Sequence, residues 1–115
     1  MVRKIHHVGI VVESLTHAYG FWRDTLGLPL LREAELADQG VRAALLAAGD
    51  SEVELLEPTR PDSGVARFLA KRGEGLHHLC FETPDVTEAL DSLKGRDVPV
   101  LDAAPRTGLA GRIAF

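Results

Sequence analysis

The stretch IHHVGIVV, Ile5 to Val12, decides how the rest of the chain is read. It is rich in β-branched residues, as a buried strand is, and it carries two adjacent histidines. LHHLCFE, Leu76 to Glu82, repeats the pattern 71 positions later. At that offset Ile5 matches Leu76, His6 matches His77, His7 matches His78 and Val8 matches Leu79. The same shift pairs Ile10 with Phe81, Leu15 with Val86, Ala18 with Ala89, Trp22 with Leu93 and Leu30 with Leu101. A fixed offset across a strand and the helix after it marks an internal repeat.

Working outward, Ser14 caps a helix whose Leu15, Ala18, Phe21, Trp22 and Leu26 recur at helical spacing, and Gly27 stops it. Residues 29–37, 41–48 and 51–57 read as strands, separated by the turns Asp38-Gln39-Gly40 and Gly49-Asp50. Residues 58–63 form a loop and 64–71 a short helix, broken by Gly73-Glu74-Gly75. A strand at 76–83 follows, then a helix begun by Pro84-Asp85 with Val86, Ala89, Leu90 and Leu93 on one face. Residues 98–101 read as a strand, 103–111 as a loop, and a last strand begins at Arg112. The expected organisation is one α+β domain over residues 1–115. Module 1 covers about 4–57, a connector 58–74, and module 2 about 75–115, one strand short of the first.

Composition narrows the function. A hydrophobic content of 45% in 115 residues gives one small domain with a core. The net charge of −4, with no basic stripe, argues against a nucleic-acid partner. No apolar run is long enough to span a bilayer, and the N-terminus lacks the apolar run of a signal peptide. The single cysteine, Cys80, permits no intrachain disulfide and fits a reducing cytoplasm. By strand alternation it faces the same side as His78, as filler beside a site.

Alternation also sorts the histidines. His6, Val8, Ile10 and Val12 share one face of the first strand; Ile5, His7, Gly9 and Val11 share the other. Gly9 leaves space beside His7. In the repeat, His77, Leu79 and Phe81 form the bulky face, and Leu76, His78, Cys80 and Glu82 the smaller one. His7 and His78 are therefore expected to face one cavity, with His6 and His77 on the helix side or its rim. Two imidazoles related by a repeat are a natural start for a divalent metal site; the alternative is four strand-end histidines satisfied by backbone or water. Glu54 sits in the middle of the strand 51–57, where a carboxylate is costly unless paired, solvated or metal-bound. Its alternative is an exposed position on an open sheet face.

These residues carry a likeness. IHHVGIVVESL, FWRDTLGLPLL, DSEVELLEPTRPDSGVARFLAKRGEGLHHLCFE and PRTGLAGRIAF, together nearly the whole chain, resemble the vicinal oxygen chelate superfamily of glyoxalases, bleomycin resistance proteins and dioxygenases. Within it they most resemble the methylmalonyl-CoA epimerase family. The resemblance implies paired βαβββ modules curled into a cup-shaped mixed sheet around a metal. It implies metal ligands at His7, Glu54 and His78, and a fourth, a glutamate, on a final strand that would follow Phe115. The second module's last strand is thus expected to be missing, from a shortened or incompletely recorded chain; the alternative is a shortened protein completed by a partner chain. The implied cofactor is a divalent ion such as Co, Mn, Ni or Zn.

The implied reaction interconverts the C2 epimers of an acyl-CoA substrate, methylmalonyl-CoA, in a cytoplasmic homodimer. The catalytic acid and base stay unassigned. Some epimerases of the family carry a glutamate where this chain has Ala43. Arg60, Arg106 and Arg112 are cations suited to coenzyme A phosphates, or simply solvated. Competing readings are a glyoxalase-type isomerase or a dioxygenase of the same superfamily, and a metal-free small-molecule-binding module. The repeated His7 and His78 count against the last.

Overall fold

The computed structural model describes residues 1–115. Its elements run β1 (Lys4–Val11), α1 (Leu15–Tyr19), a π-wound continuation (Gly20–Thr25), β2 (Leu30–Leu36), a 3-10 turn (Ala37–Gln39), β3 (Val41–Ala48) and β4 (Ser51–Pro58). Then come α2 (Gly64–Arg72), β5 (Gly75–Glu82), α3 (Val86–Gly95), β6 (Arg106–Gly108) and β7 (Gly111–Ile113). Strands β2-β3-β4-β1-β5 form one mixed sheet in that order, and β6 and β7 a separate hairpin. The first strand is central to the design. It pairs in parallel with β4 and antiparallel with β5, so it joins the two halves of the repeat.

Local signals explain the helices. Ser14 Oγ accepts from the His17 N–H, and Glu57 Oε1 on β4 accepts from the Leu15 N–H, so two donors at the start of α1 are satisfied. Ser63 Oγ accepts from the Ala66 N–H to start α2, and Asp85 Oδ1 from the Glu88 N–H to start α3. Gly40, at φ 67°, makes the turn into β3 that only a residue without a Cβ adopts freely.

Strand alternation divides the core in two. One face of the sheet packs Val12, Ala44, Leu46 and Leu55 against Leu15, Ala18 and Tyr19 of α1. The opposite face packs Val11, Ala43, Leu45 and Leu56 against Val65 of α2 and Leu109 beside the β6–β7 hairpin. This second face is the concave one. No helix is long and apolar enough to cross a membrane.

Two expectations are corrected. Residues 98–101 are not a strand. Val98 instead donates its N–H back to Leu93 O, closing off α3 through Asp97 at φ 59°. Leu101 and Asp102 both donate to Phe115 O. Those bonds tie the segment to the chain's last residue, not into a sheet ladder. The loop expected at 103–111 contains β6 and most of the turn into β7.

Candidate metal centre

Register explains why the site lies where it does. Across the sheet, Gly9 on β1 faces Glu54 on β4 and His78 on β5. Neighbouring strands are about 4.8 Å apart, so Glu54 and His78 are separated by two spacings with only a glycine between. Their side chains lean over the vacancy, and His7, two residues earlier on the same face, closes the third side. The glycine is required: a Cβ at Gly9 would come within 2.2 Å of His78 Cε1 and 2.5 Å of its Nδ1.

The result is a convergence of three ligand-type atoms. His7 Nε2 and His78 Nε2 are 3.2 Å apart. Glu54 Oε1 lies 3.6 Å from His7 Nε2 and 3.4 Å from His78 Nε2. His7 is 3% exposed and Glu54 7%. All three donor atoms fall within 4.8 Å of one another. Burial is the main cause lowering the His7 pKa below its usual value, with the nearby His78 and His6 adding to it against the pull of Glu54. A lowered pKa favours neutral imidazole, the form that ligates a cation. Two imidazole nitrogens and a carboxylate oxygen aimed at one point make a donor set of the mixed N/O kind that divalent first-row ions take. The residues fit such an ion.

The structure places the first histidine of each pair differently from strict alternation. In the β1–β5 ladder Ile5 faces Phe81 and His7 faces Cys80, so His6 is an extra residue. On the other strand Gly9 faces His78 and Ile10 faces Leu76, so His77 is an extra residue too. These are two β-bulges, one per repeat, at equivalent positions. A bulge re-aims the inserted side chain. His6 Nδ1 comes to 2.9 Å from His7 Nδ1, and His77 Nδ1 to 2.8 Å from His78 Nδ1. The His77 ring meets Phe68 of α2 edge-on at 5.1 Å, on the concave side and not under α3. No single-strand pattern signals a bulge; the doubled histidine at a fixed offset was the only trace.

A cavity of about 820 Å³ runs from this cluster round the β5 edge, past Leu79 and Phe81, to the apolar face of α3. His7, Glu54 and His78 line it together with Arg106, Arg112 and Phe115. The Phe115 ring packs edge-on against His78, and the Arg106 guanidinium lies over the Phe115 ring. Arg60 takes no part. It donates to Ala37 O and pairs with Asp62, bracing the turn at Gly40. Ala43 is fully buried in the floor of the concave face, so β3 offers no proton-transfer group there. Cys80 is half-buried beside the cavity, and desolvation raises its thiol pKa, the inert direction.

Known proteins resemble the chain over nearly its full length. The Bacillus subtilis (strain 168) protein YqjC is 38% identical over 115 residues, covering 99% of this chain and 82% of its own length. The ethylmalonyl-CoA/methylmalonyl-CoA epimerase of Cereibacter sphaeroides is 33% identical over 114 residues, covering 97% and 85%. A solved structure of Streptomyces coelicolor methylmalonyl-CoA epimerase, a variant in complex with 2-nitronate-propionyl-CoA, superposes with a TM-score of 0.93. It is 39% identical and covers 100% of this chain and 87% of that one. The family model for the glyoxalase/bleomycin resistance protein/dioxygenase superfamily matches residues 6–115, from the first bulged histidine to the last residue of the cavity wall. With that span, and with relatives this similar over nearly all its residues, the chain belongs to the glyoxalase/bleomycin resistance protein/dioxygenase superfamily.

Proposed function

We propose that the chain is a methylmalonyl-CoA epimerase that uses a divalent metal ion held by His7, Glu54 and His78. The observation that carries this reading is the buried convergence of those three donor atoms at the base of a cavity. The similarity to epimerases from two bacteria, one of them with an acyl-CoA analogue bound, supports the substrate class.

The hydrogen to be moved lies on C2, between a thioester and a carboxylate. Its departure builds negative charge on the thioester oxygen. A divalent cation supplies Lewis-acid stabilisation of that charge, worth several kcal/mol. The protein's own residues do the rest. His7 and His78, from equivalent positions of the two repeats on adjacent strands, fix the direction of approach. Glu54, buried across β1 from His78, brings an anionic oxygen that lowers the cost of seating a dication in a desolvated floor. Val11, Leu45 and Leu56 back the floor with apolar surface and exclude water from it. Arg106 and Arg112, on the hairpin that walls the cavity, are cations suited to the substrate's carboxylate or phosphates.

A cytoplasmic homodimer belongs to the same reading. The single cysteine supports the reducing compartment. Ile5 and Leu76, 41% and 58% exposed on β1 and the edge strand β5, are apolar surface that a second copy would cover.

The test is exchange of the C2 hydrogen of methylmalonyl-CoA in deuterated water. Exchange is expected with added Co²⁺ and not after chelation. A protein that binds Co²⁺ at these residues but gives no exchange with this substrate would remove the epimerase assignment.

A further inference from the structure

His6 and His77 have no role in the reading above, yet both occupy a β-bulge, and both bulges lie at the same place in the repeat. A bulge costs a ladder position, and two equivalent ones point to a shared task. Each places an imidazole Nδ1 within hydrogen-bond distance of the Nδ1 of the next histidine, at 2.9 Å and 2.8 Å. Glu52 Oε2 also approaches His6 Nδ1, at 3.6 Å, too far for a hydrogen bond. The His77 ring is held from behind by Phe68.

The direction of these bonds follows from the chemistry at the other end of each ring. His7 Nε2 and His78 Nε2 lie within hydrogen-bond distance of each other, at 3.2 Å, and face Glu54 Oε1 at 3.6 and 3.4 Å; an ion seated among them would replace the Nε2–Nε2 bond. Three lone-pair atoms converging there suit a cation only if both Nε2 atoms are unprotonated. A neutral imidazole then carries its proton on Nδ1 and needs an acceptor there. The bulged histidines supply one each.

Resting on the metal reading above, we propose that His6 and His77 are positioning residues. Each accepts the Nδ1–H of its neighbour through its own Nδ1, locking His7 and His78 in the tautomer and ring orientation that present Nε2 to the ion. The usual acceptor for a metal-bound histidine is a carboxylate or a carbonyl. Here a second imidazole fills the place, twice, and the doubled histidine is a ligand together with its orienting partner.

The test compares His6→Leu and His77→Leu, which lack an acceptor, with His6→Asn and His77→Asn, whose Oδ1 falls near the lost Nδ1. Co²⁺ affinity is measured by competition with a chromogenic chelator, and folding by urea denaturation of the metal-free proteins. Each Leu variant is expected to bind Co²⁺ about 10–100-fold more weakly, and each Asn variant to recover most of the loss. In the ¹⁵N-histidine, Zn²⁺-loaded protein, scalar coupling across the hydrogen bond is expected between the two Nδ1 atoms of each pair. Leu variants that bind like wild type, or Asn variants no better than Leu, overturn the positioning role. So does absence of the coupling. His7→Ala is the control that separates the two readings. If it binds Co²⁺ as wild type does, the metal site itself is wrong. If it loses the ion while the Leu variants keep it, only the positioning role falls.

Discussion

Replacing Gly9 by Ala should disable the site while leaving the fold standing. Gly9 has ordinary extended backbone and is absent from the positive-φ residues, so alanine meets no conformational penalty. In a strand the exchange by itself would stabilise by about 0.4–1 kcal/mol, by restricting the unfolded chain. The added methyl, however, would come to 2.2, 2.5 and 2.7 Å from three atoms of the His78 ring. Ordinary contact begins at 3.4 Å, so the ring must retreat by at least the difference, about 1.2 Å. Overpacking of this kind costs about 1–3 kcal/mol, so the net effect on stability is about 0–3 kcal/mol of loss. Metal coordination is far less forgiving. Ligand distances hold to within roughly 0.2 Å, so a displacement several times larger removes His78 from the set. Loss of one ligand in three should weaken Co²⁺ binding by at least about 100-fold. Two measurements decide it: Co²⁺ affinity by calorimetry and the urea midpoint of the metal-free protein. A G9A protein that is folded and binds Co²⁺ within a few-fold of wild type would refute the argument that the vacancy at Gly9 positions His78.

Other substitutions probe other links. Glu54→Ala should abolish tight Co²⁺ binding yet leave the metal-free protein at least as resistant to urea, because a buried carboxylate is lost along with the ligand; marked destabilisation without metal would contradict this. Leu46→Ala, at a fully buried site under α1, should cost about 2–5 kcal/mol and lower the melting temperature without changing which metals bind. Glu33 accepts from the Tyr19 hydroxyl and from Arg42 Nε, bonds that hold its pKa below the ordinary carboxylate value of 4.5. A group whose pKa is lower in the folded state adds stability above its unfolded pKa and loses it as pH falls through the folded value. Glu33→Gln should therefore destabilise by roughly 0.5–1 kcal/mol at pH 7 and by progressively less below about pH 4.5. Denaturation series at the two pH values, showing an equal gap at both, would rule that out.

The sequence carried most of the architecture because its signals were local. The run from Val41 to Ala48 is bounded by Gly40 and by Gly49-Asp50, and the third strand has those bounds. Ser14 and Asp85 marked helix starts because their side chains satisfy N–H groups that have no other partner. What escaped was set by distant contacts. Val98–Leu101 has strand composition, but its hydrogen bonds go to Leu93 and Phe115, partners no local window contains. The second half of the first helix winds as a π-helix, with Leu26 donating to Phe21 O, though its apolar spacing reads as α. For the site, alternation put His7 and His78 on the concave face, and the expense of a mid-strand carboxylate singled out Glu54. Alternation failed at His6 and His77 because it assumes one residue per ladder step, and the bulges break that count.

The parallel seam between β1 and β4 and the antiparallel seam between β1 and β5 have a kinetic corollary. His7 and Glu54 are brought together by the first half of the chain alone, but the third donor arrives only when the strand bearing residue 78 docks on the opposite edge of β1. A growing polypeptide on the ribosome would thus hold at most a weak bidentate grip on any passing ion. Tight capture would wait for the second half of the repeat, and a bound ion would report that its strand has docked.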